Sequence, residues 1–186
     1  MPQLRIEGYV IVSADGMLAD SRNVMPDALK FPGDALFFSS ALDRADLIVH
    51  GRNSYEDQPN SPKRRRIIVT GKVAGLAPDT EKPLSTLWNP AGASFEAACA
   101  AAGIGDGMVA VIGGPAVFEM FMDRYDTFFL SLAPHVSLPD GAPCFPGVGP
   151  SRSPQQVLTE HGYKVADRLM LDPVSDVSVI AWKRAA

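Results

Sequence analysis

Four short runs of apolar residues recur in the first two thirds of the chain, each bounded by residues that favour turns. The runs cover residues 9–12, 47–49, 67–69 and 109–112. Uninterrupted runs rich in valine and isoleucine are typical of strands that are buried on both faces of a parallel sheet. The stretches between them leave room for helices, so the pattern predicts an α/β fold.

Three segments have helix-compatible patterns. Ser94, followed by Glu96 and Ala97, is a candidate N-terminal cap for the second of them, because a serine hydroxyl can accept a hydrogen bond from a backbone N–H of the first turn. The three predicted helices cover residues 34–44, 94–102 and 116–122.

The last third of the chain has a different pattern. Residues 128–132 and 177–182 alternate apolar and polar positions, which is typical of edge or antiparallel strands. Prolines and glycines make residues 134–154 too irregular for a strand interior. We therefore predict one domain over residues 1–186, with a mostly parallel sheet that ends in an antiparallel strand.

Composition narrows the range of partners. Among 186 residues, 46% are hydrophobic and 20% are charged, which is an ordinary globular balance rather than that of a disordered chain. The net charge of −4 argues against a nucleic-acid or anionic-membrane partner. We expect a small-molecule substrate, and a homodimer is left open.

The cysteines and the N-terminus bear on location. Cys99 and Cys144 are too few for a disulfide framework, so we expect a reducing cytoplasm. The first residues lack the pattern of a signal peptide, and no apolar run approaches the roughly 18 residues that span a bilayer.

Candidate chemistry lies where predicted strands end, since ligands of open α/β sheets bind beyond the carboxyl ends of the strands. In residues 49–56 a strand runs into a predicted helix start. Gly51 would allow a tight turn, and Arg52 would present a fork suited to phosphate beside helix N–H groups. A turn with a solvated arginine is the alternative, and both remain open.

Two further turns could contact an anion. Gly113 and Gly114 follow a buried strand and precede Pro115 at a predicted first helical position, so their backbone could approach a pyrophosphate, although paired glycines often mark only a turn. Lys72, in the sequence Thr70-Gly71-Lys72, is either an anion ligand or a solvated side chain. The glycine spacing of an ATP-binding P-loop is missing.

Asp34 is the candidate acid. It opens a predicted helix, where a carboxylate is favoured by the helix dipole alone. Burial among Phe31, Phe37 and Phe38 would instead raise its pKa and suit it to proton transfer. Both roles remain open. The three histidines have no metal-ligand spacing, so we expect no metal site.

Taken together and in this order, residues 50–56 and 112–118 resemble the NADPH-binding segments of the dihydrofolate reductase superfamily, which includes the diaminopyrimidine reductases of riboflavin synthesis. The resemblance extends from Gly8 to Trp182. It implies a three-layer α/β fold with helices on both faces of the sheet, and it implies NADPH as the cofactor.

Carried over position by position, the resemblance assigns Arg52 to the 2′-phosphate of NADPH and Ser54 to its pyrophosphate. It implies a cis peptide between Gly113 and Gly114, and a mobile loop at residues 23–26. The cofactor-binding residues that it implies are Ile11, Leu18, Gly51, Arg52, Asn53, Ser54, Thr70, Gly71, Lys72, Ile112, Gly113, Gly114, Ala116 and Val117.

On the substrate side, the resemblance makes Asp34 the ring-binding carboxylate and Ser131 its hydroxyl partner, and we predict both as catalytic. It also matches Arg64 to the arginine that holds the glutamate of folate. The substrate-binding residues that it implies are Met25, Asp34, Phe38, Arg64 and Ser131.

Some positions depart from the family pattern. Asp27 stands in place of a tryptophan, Phe118 in place of a tyrosine and Ala116 in place of an arginine. We predict a reductase that passes a hydride from NADPH to a pteridine- or pyrimidine-like ring. The alternative within the family is reduction of 5-amino-6-(5-phosphoribosylamino)uracil in riboflavin synthesis, with residues 64–66 holding the phosphate. The alternative from another class is a non-catalytic NADPH-binding module.

Overall fold

Strands and helices alternate along residues 3–185, the part of the chain that the computed structural model describes. The strands are β1 (Leu4–Ser13), β2 (Met17–Ala19), β3 (Leu47–Gly51), β4 (Arg66–Val69), β5 (Leu76–Pro78), β6 (Ser85–Trp88), β7 (Gly107–Val111), β8 (Thr127–Ala133), β9 (Ala142–Pro143), β10 (Tyr163–Asp172) and β11 (Val177–Arg184). The helices are α1 (Pro32–Arg44), α2 (Phe95–Ala101), α3 (Pro115–Met120) and α4 (Pro154–Glu160).

Nine strands form one sheet in the order β10-β11-β8-β1-β7-β3-β4-β6-β5. The six strands from β8 to β6 run parallel, whereas β5, β11 and β10 pair antiparallel with their neighbours. The four apolar runs became β1, β3, β4 and β7, and β1, β7 and β3 lie together at the centre. The predicted mostly parallel sheet with an antiparallel C-terminal strand is therefore confirmed.

Helices cover both faces of the sheet. Alternate residues of the central strands pack in opposite directions: Ile48 packs with Ala41 and Leu42 of α1 on one face, and Val49 belongs to the larger core on the other. That larger core includes buried side chains from α2, α3 and α4, among them Cys99. The fold has three layers, as predicted.

The predicted helix after Gly51 is wrong, because residues 52–60 are irregular. Pro59 lacks a backbone donor and disfavours a helical conformation at the residue before it. The segment is tied down by side chains instead: Ser61 donates hydrogen bonds to the backbone carbonyl and to the carboxylate of Glu56, at 2.9 and 2.7 Å.

Residues 128–132, predicted as an edge or antiparallel strand, form β8, which does not lie at an edge of the sheet but pairs antiparallel with β11 and parallel with β1. Two elements near the C-terminus were missed. One is α4, whose capping box pairs Ser153 with Gln156. The other is β10, an edge strand whose middle residues are exposed and so carry no clear apolar period.

The predicted helices match α1, α2 and α3. Ser94 caps α2 as expected, with its hydroxyl accepting a hydrogen bond from the Ala97 N–H at 3.1 Å. Both Cys99 and Cys144 are buried and unpaired. Within residues 3–185, the helices are all too short or too polar to cross a bilayer.

Candidate functional site

The carboxyl ends of β1, β3, β4, β7 and β8 border one cleft, which consists of two connected cavities. The inner cavity has a volume of about 310 Å³ and the outer cavity about 680 Å³. Leu18, Asn23, Asn53, Ser54 and Gly114 are among the residues that line both. A ligand that occupied the outer cavity could therefore extend one end into the inner cavity.

All the predicted catalytic, cofactor-binding and substrate-binding residues line this cleft, except Arg64. Those that line the inner cavity are Ile11, Leu18, Met25, Asp34, Phe38, Asn53, Ser54, Ile112, Gly113, Gly114 and Ser131. Those that line the outer cavity are Leu18, Gly51, Arg52, Asn53, Ser54, Thr70, Gly71, Lys72, Gly114, Ala116 and Val117. Arg65 and Arg66, which the alternative function assigns to a substrate phosphate, do not line the cleft either.

The turn at Gly113 and Gly114 joins β7 to α3 and contributes to both cavities. Its peptide bond is cis, as the resemblance implied. Gly113 has a φ of 110°, and a Cβ there would lie only 3.0 Å from the ring of Phe118. The Gly51 N–H donates a hydrogen bond to the Gly113 carbonyl at 2.7 Å, which fixes the end of β3 against this turn.

Aromatic side chains form much of the inner cavity, and the sequence reasoning missed most of them. The rings of Tyr9 and Phe129 stack with centroids 4.9 Å apart, and those of Phe37 and Phe129 form an edge contact with centroids 5.7 Å apart. Tyr9 and Phe129 are register partners on β1 and β8. Both belong to predicted strands, but only the register of the two strands places them side by side.

Asp34 lies in the first turn of α1, and its carboxyl is directed into the protein rather than to solvent. The residue is only 9% exposed. Burial raises the pKa of Asp34, and the nearby Ser131 hydroxyl opposes part of that rise. Ser131 is itself buried, next to Ile11 on the adjoining strand. The structure thus favours a buried acid over a helix-start charge.

The outer cavity carries the cations of the cleft. Arg52 and Lys72 are both exposed, and they project from the ends of β3 and β4. The Lys72 N–H donates to the Thr70 hydroxyl at 3.2 Å, which shapes the turn. At Gly71 a Cβ would meet no atom within 4 Å, so the missing side chain leaves space in the cleft rather than satisfying a packing constraint.

Arg64 does not reach either cavity, which corrects its assignment to the substrate. It is buried and donates to the carboxylates of Glu56 and Asp43, at 2.9 and 2.6 Å. Arg66 donates to the same Glu56 oxygen at 2.9 Å. Although burial opposes it, hydrogen bonds from Arg66, Ser61 and Arg64 hold the pKa of Glu56 below its usual value. We call Asp43, Glu56, Arg64 and Arg66 the arginine cluster.

His50 connects the arginine cluster to the cleft. Burial lowers the pKa of His50 to about 4, so the ring is neutral at physiological pH. Its Nδ1 lies 2.6 Å from the Gly51 carbonyl and its Nε2 lies 3.0 Å from an Arg66 nitrogen. An arginine can only donate, so Nε2 accepts and Nδ1–H donates to Gly51. His50 is thus a packed, hydrogen-bonded residue.

Tyr55 lines the inner cavity, and side chains outside the cavity hold its ring in place. Two cations lie over its ring: the guanidinium of Arg66, at 4.2 Å from the ring centroid, and the Lys82 ammonium, at 3.7 Å. Its edge contact with His50 adds a third support. The irregular segment 52–60 is thus anchored by charged groups that have no direct access to the cleft.

The segment before α1 borders the cleft. The Asp20 carboxylate accepts backbone hydrogen bonds from Arg22 and Val24, at 2.8 and 3.1 Å, which shapes a tight turn. Asn23 sits in that turn with a φ of 60° and lines both cavities. Met25 lines the inner cavity and is partly exposed. Closure of this segment remains a prediction.

Comparison with known proteins gives structural relatives only. No family model and no curated protein match the sequence. Dihydrofolate reductase from Enterococcus faecalis, in complex with NADP(H) and RAB-propyl, matches with a TM-score of 0.66 and 16% identity, over 98% of this chain and 97% of that one. A protein from Shewanella sp. PV-4 named for riboflavin biosynthesis matches with a TM-score of 0.67 and 19% identity, over 98% and 99%. The chain therefore has the dihydrofolate reductase-like fold, as predicted.

Proposed function

We propose that this chain, which has the dihydrofolate reductase-like fold, is an NADPH-dependent reductase that passes a hydride to a planar heterocyclic ring. The observation that carries the proposal is the division of one continuous cleft: exposed cations border the outer cavity, and aromatic rings with one buried acid border the inner cavity. A phosphorylated dinucleotide requires the first environment, and a ring undergoing reduction requires the second.

The outer cavity fits the phosphate-bearing part of the cofactor. Arg52 offers a planar fork of donors for a terminal phosphate, and Lys72 a second positive charge. Gly114 and Gly71 keep side chains out of the path, since a Cβ at Gly114 would lie 3.4 Å from the Ser54 hydroxyl and one at Gly71 would fill open space. Ser54 would donate to the pyrophosphate.

The inner cavity would hold the nicotinamide next to the substrate. When bound, NADPH supplies the hydride for the carbon of a C=N bond in the substrate ring. Ile11 and Leu18 would position the nicotinamide against the ring. Asp34, oriented by Ser131, would hydrogen-bond the substrate and help deliver the proton to the ring nitrogen, directly or through a water. The raised pKa of Asp34 suits it to this step.

Positioning supplies the rest of the rate enhancement. The aromatic walls formed by Tyr9, Phe37 and Phe129 exclude water and restrict the ring to a plane, so that the reacting carbons approach in a productive geometry. The nicotinamide and the substrate ring would thus meet in a site of low polarity. There the hydrogen bond from the single acid, Asp34, would be strongest.

The test is a titration of the purified protein with NADPH and with NADH, followed by a screen of pteridines, pyrimidines and quinones for loss of NADPH absorbance. We expect NADPH to bind more tightly than NADH and at least one ring compound to be reduced. Binding without oxidation of NADPH by any compound would favour a non-catalytic NADPH-binding module. Absence of NADPH binding would contradict the proposal as a whole.

A further inference from the structure

We infer that the substrate of this reductase is a compact ring compound that carries no carboxylate or phosphate tail. The inference rests on the proposed function and narrows its substrate class. It follows from where the structure places positive charge, and it separates this chain from an enzyme for a glutamate-bearing folate or a phosphoribosyl pyrimidine.

The inner cavity offers no cation to an anionic tail. Among the described residues that line it, the side chains that can ionise are Asp34, Tyr9 and Tyr55, and none of these is positively charged. Its volume of about 310 Å³ lies at the lower end of the roughly 300–1,000 Å³ typical of small-molecule pockets. An anion held there would lie near a buried carboxyl with no opposite charge to offset its desolvation.

The arginines that could have bound an anionic tail make other contacts. Arg64 is 8% exposed and Arg66 is 1% exposed, and both are held by Glu56. Arg65 lies on the surface, where it donates to the Gly103 carbonyl at 3.3 Å. None of the three consecutive arginines lines the cleft, so they do not form a phosphate site for a ligand bound there.

The segment before α1, which borders the cleft, offers little positive charge in place of these arginines. Its two cations, Arg22 and Lys30, line neither cavity, and each lies beside an aspartate, Asp20 at 3.0 Å and Asp27 at 2.9 Å. Within the cleft, the positive charges are Arg52 and Lys72 of the outer cavity, which the cofactor phosphates would occupy. Neither lines the inner cavity.

What the inner cavity does offer is a match for a flat ring with N–H donors. Tyr9, Phe37 and Phe129 provide aromatic surface, and Asp34 provides a carboxyl that can accept hydrogen bonds from an amino group and an adjacent ring N–H. An unconjugated pteridine, or a similar ring with an amidine-like edge, has this chemistry.

Calorimetric titration of the protein–NADPH complex with two matched probes tests the inference. The first probe is 2,4-diamino-6-methylpteridine, and the second is the same ring extended by a 4-aminobenzoyl-glutamate tail. We expect the tail to improve affinity by less than about threefold and the affinity of both probes to change little with salt. Charge-assisted hydrogen bonds to the tail would instead give about tenfold or more, weakened by salt.

The outcomes separate this inference from the proposed function. A tail-bearing probe that binds more than tenfold tighter overturns the inference and leaves the reductase function standing. If NADPH binds but neither ring probe does, the ring-binding half of the proposed function fails, and the inference fails with it.

A charge-insertion variant provides a second readout. Met25→Arg would place a cation at the exposed edge of the inner cavity, and Met25→Gln is its matched control. We expect the arginine variant to gain about tenfold in affinity for the glutamate-bearing probe alone, and the glutamine variant to gain nothing. An absence of selective gain would show that charge is not what excludes the tail, and would overturn the inference.

Discussion

The two cavities of the cleft differ in the solvent exposure of their ionisable side chains. In the outer cavity, Arg52 and Lys72 project into solvent from strand ends, where burial imposes little cost on their charge. In the inner cavity, the acidic side chain is buried between α1 and β8, and burial raises its pKa. The outer cavity keeps its charges hydrated, and the inner cavity keeps its acid largely dry.

Under the proposed function, this difference gives the two regions different tasks. Hydrated cations can recognise phosphates without a large desolvation cost, and they contribute mainly to affinity. A carboxyl in a dry pocket is poorly solvated when it is ionised, so it keeps its proton to a higher pH than an exposed carboxyl does. Substitutions at the two ends should therefore affect different measurements.

The largest effect should come from Asp34→Asn, which would abolish proton delivery while retaining shape. We expect turnover to fall by about 10²–10⁴-fold, with NADPH affinity unchanged. In the parent protein, turnover should fall as pH rises through the raised pKa of Asp34, because the acid form is lost, and the variant should lack that pH dependence. Steady-state kinetics across pH provides the measurement.

The matched control for that variant is Asp27→Asn. Asp27 is exposed and pairs with Lys30, so the same change of chemistry there should leave turnover within about twofold. Equal losses in both variants would contradict a specific role for the buried acid.

The next largest effect should come from the arginine cluster, which supports the segment 52–60 from outside the cleft. Glu56→Gln would leave Arg64 and Arg66 buried without the carboxylate that they share. We expect the free energy of unfolding to fall by about 3–5 kcal/mol, since removing one partner of a buried ion pair leaves an uncompensated charge. Urea denaturation followed by tryptophan fluorescence would measure it.

A surface ion pair supplies the comparison. Glu96→Gln breaks an exposed contact with Arg124, for which we expect a loss below about 1 kcal/mol. If the two variants were equally stable, the arginine cluster would not be what holds the irregular segment 52–60.

A smaller effect is expected at the outer cavity. Arg52→Gln should weaken NADPH binding by about tenfold while changing NADH binding little, because only NADPH carries the additional phosphate. Arg65→Gln makes the same change at an exposed arginine outside the cleft and should have no effect. Fluorescence titration with both nucleotides distinguishes these results, and an equal loss for NADH would place Arg52 elsewhere on the cofactor.

The smallest effect is one of stability. The folded-state pKa of Asp34 is raised above its unfolded value near 3.8, so the folded state binds its proton more tightly. Stability conferred by the neutral acid is complete below that unfolded value and is lost as pH rises through the folded value. Asp34→Asn should therefore raise the free energy of unfolding at neutral pH by roughly 0.5–2 kcal/mol, a gain obtained at the expense of activity. If Asp34→Asn unfolded more easily than the parent at neutral pH, burial of the ionised carboxyl would not be what destabilises the folded state.

Much of this arrangement follows from local pattern. The apolar runs identify the central strands because parallel strands covered on both faces have no polar alternation, as in β3 and β7. The glycines at Gly51, Gly113 and Gly114 mark close approaches between strand ends, which is also where the cleft forms. These signals are short-range, and the sequence shows them directly.

The misassigned features depend on contacts between distant residues. A run of arginines at residues 64–66 is normally solvated, and nothing local indicates that Glu56 and Asp43 neutralise Arg64. Likewise, Tyr9 becomes a cavity wall only because β8 pairs with β1 in one particular register. Contacts between residues that are distant in the sequence, rather than local propensity, determine both features.

The burial of the two cysteines has a practical consequence for following motion at the mouth of the cleft. Burial raises the pKa of Cys99 to about 11 and that of Cys144 to about 12, so neither presents a thiolate to a maleimide dye at neutral pH. A cysteine introduced at Val24, which is 53% exposed, would then be the reactive thiol of the folded chain described here. A fluorophore attached there would report whether the segment moves when a nucleotide binds, and at what rate.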